Sequence, residues 1–185
     1  MSKVKAHLLM LAMDYVREGF GQVELKQVMD KLSPEDKIFI SKKIVPLSWV
    51  PAPVLSHLME AVDIVLGKKD FYLCREIGRY QAEKGINSFY QMFIRAGNPS
   101  FALKRAPSFW RSLHDEGELV IEITGERSVR ARVLHYPDAG KAFCNSLIGY
   151  FERVLEMSGA KDVEIFEAKC RSKGGEYCEF FGNWD

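Results

Sequence analysis

Apolar residues recur at helical spacing through roughly the first two thirds of the chain and then, after Gly117, switch to alternation. Leu8, Leu9, Leu11, Ala12, Tyr15 and Val16 share one face, so a helix is expected from Val4 to Phe20, stopped at Gly19 and Gly21. A second is expected over 22–32, with Val23, Val28, Met29 and Leu32 as its stripe. Ser33-Pro34-Glu35-Asp36 reads as a helix start: an N-cap hydroxyl, proline in the first turn, and acids facing the macrodipole. Pro46, Pro51 and Pro53 punctuate a loop that contains Ser48-Trp49-Val50, and further helices are expected over 53–66, 70–83, 85–95 and 99–115. Beyond Gly117, residues 118–124 and 128–134 alternate as two strands around Gly125-Glu126-Arg127. A long helix from Asp138 to Met157 and two more strands, over 163–169 and 177–181, complete the pattern. Helices followed by ββαββ predict an α+β fold: one antiparallel four-stranded sheet with helices packed against it. No internal repeat interrupts this order, and 1–185 is read as a single domain.

The chain has 185 residues, 47 % apolar and 28 % charged, enough to bury a core without disulfides. A net charge of +1 argues against a nucleic-acid surface, which usually carries a strong basic excess. No apolar run reaches bilayer-spanning length and no N-terminal signal segment is visible, so a cytoplasmic protein is expected. Neither a membrane nor a nucleic acid is expected as partner.

Three of the four cysteines, Cys144, Cys170 and Cys178, fall near the C-terminus, and Glu167 stands three positions before the second of them. Thiolates and carboxylates are zinc ligands, although this is not a zinc-finger spacing. Arg171-Ser-Lys-Gly-Gly-Glu supplies glycines for a turn, and a hairpin centred on Gly174 would set Cys170 opposite Cys178. Such a pair can bind a metal, form a disulfide or simply pack. A reducing compartment disfavours the disulfide.

From Cys144 onward the chain reads C-x4-G-Y, Gly159, V-E-I-F-E-A-K-C, G-G-E-Y-C-E-F and a closing Trp184. This resembles the C-terminal part of V4R (4-vinyl reductase) domains, including the sensor domains of phenol- and xylene-responsive transcriptional activators. The resemblance implies a zinc site of three Cys and one Glu, carried over as Cys144, Glu167, Cys170 and Cys178. Four protein ligands would make it structural, with no open position for water or substrate. Lys169, Arg171 and Lys173 could balance its negative charge. Because residues 167 and 170 of an uninterrupted strand face opposite sides, a bulge or a strand end must lie between them.

Upstream segments, among them Pro46-Leu-Ser-Trp-Val and Ala106-Pro-Ser-Phe-Trp, are similar to bacterial proteins with the same tail. These in turn resemble members of a superfamily of NO-signalling and Golgi-transport ligand-binding folds. The resemblance implies helices and a sheet around an apolar cavity, with residues 1–48 a helical extension and 49–185 the ligand-binding core. Phe89, Tyr90, Phe93, Phe101, Phe109 and Trp110 concentrate aromatic surface on two helices, and His114 or His135 could orient a ligand hydroxyl. For any one of these aromatics, core packing is the competing explanation. Haem is not expected: the Tyr-x-Ser-x-Arg motif of the superfamily's haem sensors is absent, and His7, His57, His114 and His135 lie far apart. Cys74 is expected to be a buried apolar-face residue. No nucleophile motif, phosphate loop or dinucleotide fingerprint occurs, so a binding module is expected rather than an enzyme. Two roles fit: a sensor for an apolar or aromatic small molecule that signals through a homodimer or partner protein, or a scaffold whose cavity is filled by side chains.

Overall fold

The strands Glu118–Gly125, Ser128–Leu134, Cys178–Asn183 and Glu164–Lys169 lie side by side in that order, antiparallel throughout, so that the chain's last strand sits between a central strand and an edge of one four-stranded sheet. The computed structural model describes residues 1–41, 45–85, 94 and 98–185. In chain order these form β1 (Lys3–Lys5), α1 (Ala6–Gly19), α2 (Gln22–Lys31), α3 (Pro34–Ser41), β2 (Trp49–Pro51), α4 (Ala52–Leu66), α5 (Tyr72–Gly85), α6 (Pro99–Leu113), β3 (Glu118–Gly125), β4 (Ser128–Leu134), α7 (Lys141–Met157), β5 (Glu164–Lys169) and β6 (Cys178–Asn183). A short 3-10 turn, Arg171–Lys173, joins the last two strands. The fold is α+β as the periodicity predicts; the helix expected over 85–95 lies almost wholly outside the described residues.

Local capping chemistry sets several helix starts. Ser33 Oγ accepts the Asp36 N–H at 3.1 Å, and the Asn98 side chain accepts the Phe101 N–H at 2.9 Å. Two segments depart from the periodicity. Residues 3–5 do not open α1 but pair antiparallel with 49–51, Val4 opposite Val50, so the expected loop at Ser48-Trp49-Val50 is largely a strand. Long-range contacts hold this ribbon: the Ser2 N–H and hydroxyl both donate to Asp138 Oδ2 (2.6 and 2.7 Å), and the Lys3 N–H donates to Asp115 Oδ1 (2.6 Å). Asp138, expected as the first residue of the long helix, is thus engaged elsewhere, and α7 begins at Lys141.

The inner face of the sheet carries Leu119, Val129, Ala131, Val133 and Phe180, all buried, and α7 meets it through Phe151 and Leu155. The opposite side of α7 lies against α5 at backbone distance. A β-carbon on Gly78 would overlap the Ser146 carbonyl, and one on Gly149 would overlap the Arg75 carbonyl. Beside this crossing the buried Glu152 takes two hydrogen bonds from Arg75, and Arg79 reaches both Glu152 and Glu156. A buried carboxylate with its cation removed is costly, so these pairs fix how α5 sits on α7 more than they add net stability.

Gly78→Ala is expected to lower unfolding stability by about 2–4 kcal/mol, because neither helix backbone can yield locally. Gly140→Ala, where a β-carbon meets nothing within 4 Å, is expected to stay within about 0.5 kcal/mol of wild type. Urea unfolding of both variants checks the pair; equal effects would show that the crossing tolerates separation.

Candidate metal centre and cavity

Cys144 stands in the first turn of α7, Glu167 and Cys170 at the end of β5, and Cys178 at the start of β6. A bulge brings the middle two to one side. The β5–β6 pairing runs from Glu164↔Asn183 to Glu167↔Phe180, then slips so that Lys169 faces Glu179, leaving Ala168 as the extra residue. That extra residue turns Glu167 and Cys170, which would otherwise point apart, toward the same point. The register after the slip, Lys169↔Glu179, is centred on Gly174 and brings Cys170 level with Cys178, as the sequence suggested. Lys169↔Glu179 closes the ladder, and Cys170 opens the 3-10 turn that ends at Gly174, whose φ of 87° suits glycine.

One donor atom from each of the four residues lies within 4.8 Å of all the others. Cys144 Sγ is 3.8 Å from Cys170 Sγ and 3.5 Å from Cys178 Sγ, too far for a disulfide, and all the cysteines are free thiols. A tetrahedral ion with metal–sulfur bonds of about 2.3 Å needs sulfur–sulfur edges of about 3.8 Å, so the spacing already matches such a site. Glu167 adds a second indication: its Oε1 is buried and makes no hydrogen bond, while Oε2 accepts from Lys173 Nζ at 2.9 Å. The residues present therefore fit a metal ion, with that oxygen as the fourth donor.

The electrostatics divide the cluster, favouring the anionic form of Cys178 and Glu167 and the neutral thiol of Cys144 and Cys170. A hydrogen bond from the Cys144 thiol, helped by the Arg171 backbone N–H and opposed by burial, brings Cys178 down to about 6. The same bond, together with burial, pushes the Cys144 thiol far up, and burial raises Cys170 against its bond with Ser172. Burial alone would raise Glu167, but Lys173 and the facing thiols hold its carboxyl below the usual range. Of the three expected balancing cations, Lys173 reaches the cluster with its side chain. Lys169 is engaged by Tyr177, and the Arg171 side chain bonds the Glu176 carbonyl. Cys74 lies elsewhere, buried with its thiol against the Met59 carbonyl at 3.4 Å.

A cavity of about 280 Å³ opens between α6, α7 and α4. Helical periodicity places Phe143, Leu147, Tyr150 and Val154 of α7 on one wall, and Phe101, Phe109 and Trp110 of α6 on another. His114 joins them, stacked on Trp110 at 3.8 Å with Tyr136 and Phe143 edge-on. Its Nδ1 lies 3.3 Å from the Trp110 carbonyl, which can only accept, leaving Nε2 as an acceptor. Of the expected ligand contacts, Phe101, Phe109, Trp110 and His114 line the cavity. Phe89, Tyr90 and Phe93 lie outside the described residues, and His135 is exposed away from it with φ 54°. Tyr136 and Tyr150 were not anticipated, though Tyr150 lies on the stripe that Phe143 and Leu147 begin. Burial raises the Tyr150 phenol, and its hydroxyl has no hydrogen-bond partner among the described residues.

Residues 122–182, a stretch containing all four cluster residues, match the family model of the V4R domain. No curated protein sequence matches the chain. Several solved structures share the fold over nearly the whole length. A triple mutant of an H-NOX protein from S. oneidensis in the Fe(II) ligation state has a TM-score of 0.75 at 12 % identity, covering 98 % of this chain and 96 % of that one. The Fe(II) unliganded H-NOX protein from K. algicida has a TM-score of 0.73 at 12 % identity, covering 98 % and 96 %. A structure described as probing heme distortion in the H-NOX family has a TM-score of 0.69 at 12 % identity, covering 98 % and 95 %. Identity this low shows a shared architecture.

Haem itself does not fit the described geometry. Among the described residues the cavity offers one imidazole, His114, its face covered by Trp110 and its flanks by Tyr136 and Phe143. Its volume also falls below the roughly 300–1,000 Å³ of drug-sized ligand sites, and a porphyrin exceeds such ligands.

Burial lowers His114 from 6.5 to about 4, so the folded protein holds it neutral at pH 7. Between those values the unfolded chain binds the extra proton. The stability tied to His114 is therefore complete above pH 6.5 and lost as pH falls toward 4, on the order of 2–3 kcal/mol. Urea unfolding at pH 7 and at about pH 4.5 is expected to show a smaller acid loss in His114→Phe than in wild type. Equal losses would place the acid sensitivity elsewhere.

Proposed function

We propose that this chain is a non-catalytic small-molecule sensor domain whose apolar cavity takes a small apolar or aromatic ligand, with a structural Zn²⁺ held by Cys144, Glu167, Cys170 and Cys178. The observation that carries the ligand reading is the cavity of about 280 Å³ between α6 and α7. It is larger than the roughly 150 Å³ apolar cavity that suffices for benzene. Its polar groups are few. Gln81 and Ser146 are bonded to each other (3.4 Å), and Gln81 also donates to the Leu8 carbonyl, whereas His114 Nε2, the hydroxyls of Ser56 and Tyr150 and the Arg105 guanidinium are left to orient a ligand. A scaffold role with a filled cavity is the second reading, and the open volume beside Phe109 and Trp110 speaks against it.

Zinc is supported by the donor set, the thiol separations, the unpartnered Glu167 oxygen and the V4R match across all four ligands. Four protein donors close the coordination sphere, so the ion would tie α7 to the last hairpin rather than activate water. A ligand wedged between α6 and α7 would bias the same helix from its other side. The response would pass to a second copy or a partner protein through differential contacts of the two states. No described helix is long and apolar enough to cross a membrane.

Native mass spectrometry of protein purified without chelator is expected to show one zinc per chain. Cys170→Ser should lose zinc and stability together, Glu167→Gln should weaken zinc retention by about tenfold or more, and Cys74→Ser should leave zinc unchanged. Metal-free wild-type protein of undiminished stability would refute the zinc assignment. Thermal-shift screening with small aromatic, alkyl and tetrapyrrole compounds is expected to raise the melting temperature for the first two classes. A flat response across all three would favour the scaffold, and a response to haem alone would return the cavity to porphyrin chemistry.

A further inference from the structure

The cavity's charge is as informative as its shape. Among its described lining residues there is no Asp or Glu, and one charged side chain, Arg105, stands there, exposed beside exposed Phe101. The Arg105 guanidinium lies 5.3 Å from the Phe101 ring centroid and forms no ion pair among the described residues. Its helix repeats the theme: α6 carries Lys104, Arg105 and Arg111 with no acidic residue between Pro99 and Leu113. None of the three is paired with a carboxylate among the described residues, although the chain as a whole is nearly neutral. Deeper groups do not supply a counter-charge, since His114 is neutral at pH 7 and the remaining lining is aromatic, aliphatic or uncharged.

We infer that the cavity selects amphipathic anions: an aromatic or alkyl body inside, and a carboxylate or comparable anionic head at the mouth on Arg105. This rests on the cavity being a ligand site and adds the class of ligand. The physical reason is asymmetric. An anion buried among Phe143, Leu147 and Tyr150 would lose its hydration without a partner, whereas a head left at the rim keeps water and gains a planar two-pronged donor. A cationic amphiphile of the same shape would meet Arg105 as a like charge.

Matched probes test the charge separately from the shape: 2-naphthoate against naphthalene-2-methanol, and decanoate below its micellar concentration against decan-1-ol, by isothermal titration at low and high salt. In wild type each anion is expected to bind one per chain and about tenfold tighter than its neutral partner, with the advantage shrinking at high salt. Arg105→Gln should abolish that advantage while leaving the neutral probes unchanged, and Lys104→Gln, on the same helix outside the cavity lining, should keep it. Unchanged melting temperatures would confirm that both variants fold. Neutral probes that bind as well as or better than the anions would overturn the inference while leaving the cavity a ligand site; so would an Arg105→Gln effect equal on both. Failure of every probe to bind wild type would overturn the ligand-site reading and the inference with it.

Discussion

The backbone contact between α5 and α7 is the constraint on which the rest of the molecule depends. Two glycines, Gly78 and Gly149, let each helix approach the other's carbonyls, and the buried Glu152 clasped by Arg75 fixes the rotation at the crossing. With that face committed, the helical repeat dictates where the remaining side chains of α7 go. Phe151 and Leu155 meet the sheet, Phe143, Leu147, Tyr150 and Val154 wall the cavity, and Cys144 meets the C-terminal hairpin. One helix thus contributes to the core, to a wall of the cavity and to the candidate metal cluster, and its placement on α5 sets all three.

At the hairpin a single extra residue does comparable work. Because strand side chains alternate, Glu167 and Cys170 could not serve one ion without the slip at Ala168. The slip also leaves Glu167 Oε1 buried and unpartnered, which is costly without a cation and reasonable with one. The bulge thus sets the geometry of the candidate metal cluster, which brings the start of α7 against the C-terminal hairpin.

The chain shares its architecture with H-NOX structures, but its cavity lining does not fit haem. His114 is stacked and hydrogen-bonded within an aromatic box, and the open space is that of a small molecule. The same scaffold can host different chemistry because the wall residues, and not the helix order, decide what fits.

Read alone, the chain determines a good deal about itself. Periodicities of 3.6 and 2 place most elements, and the capping residue Ser33 locates a helix start, because those signals are local. The four candidate metal ligands and the need for a bulge between Glu167 and Cys170 were also legible, since donor chemistry and strand alternation are properties of residue order. What escaped it depends on distant partners. Lys3–Lys5 is a strand because Trp49–Pro51 and the carboxylates of Asp115 and Asp138 receive it, and no window around residue 4 contains them. The place of the bulge at Ala168, the cavity faces of Tyr136 and Tyr150, and the isolation of Arg105 at the mouth were likewise decided by packing. Each depends on which elements face one another once α7 has settled against α5, and that arrangement exists only in three dimensions.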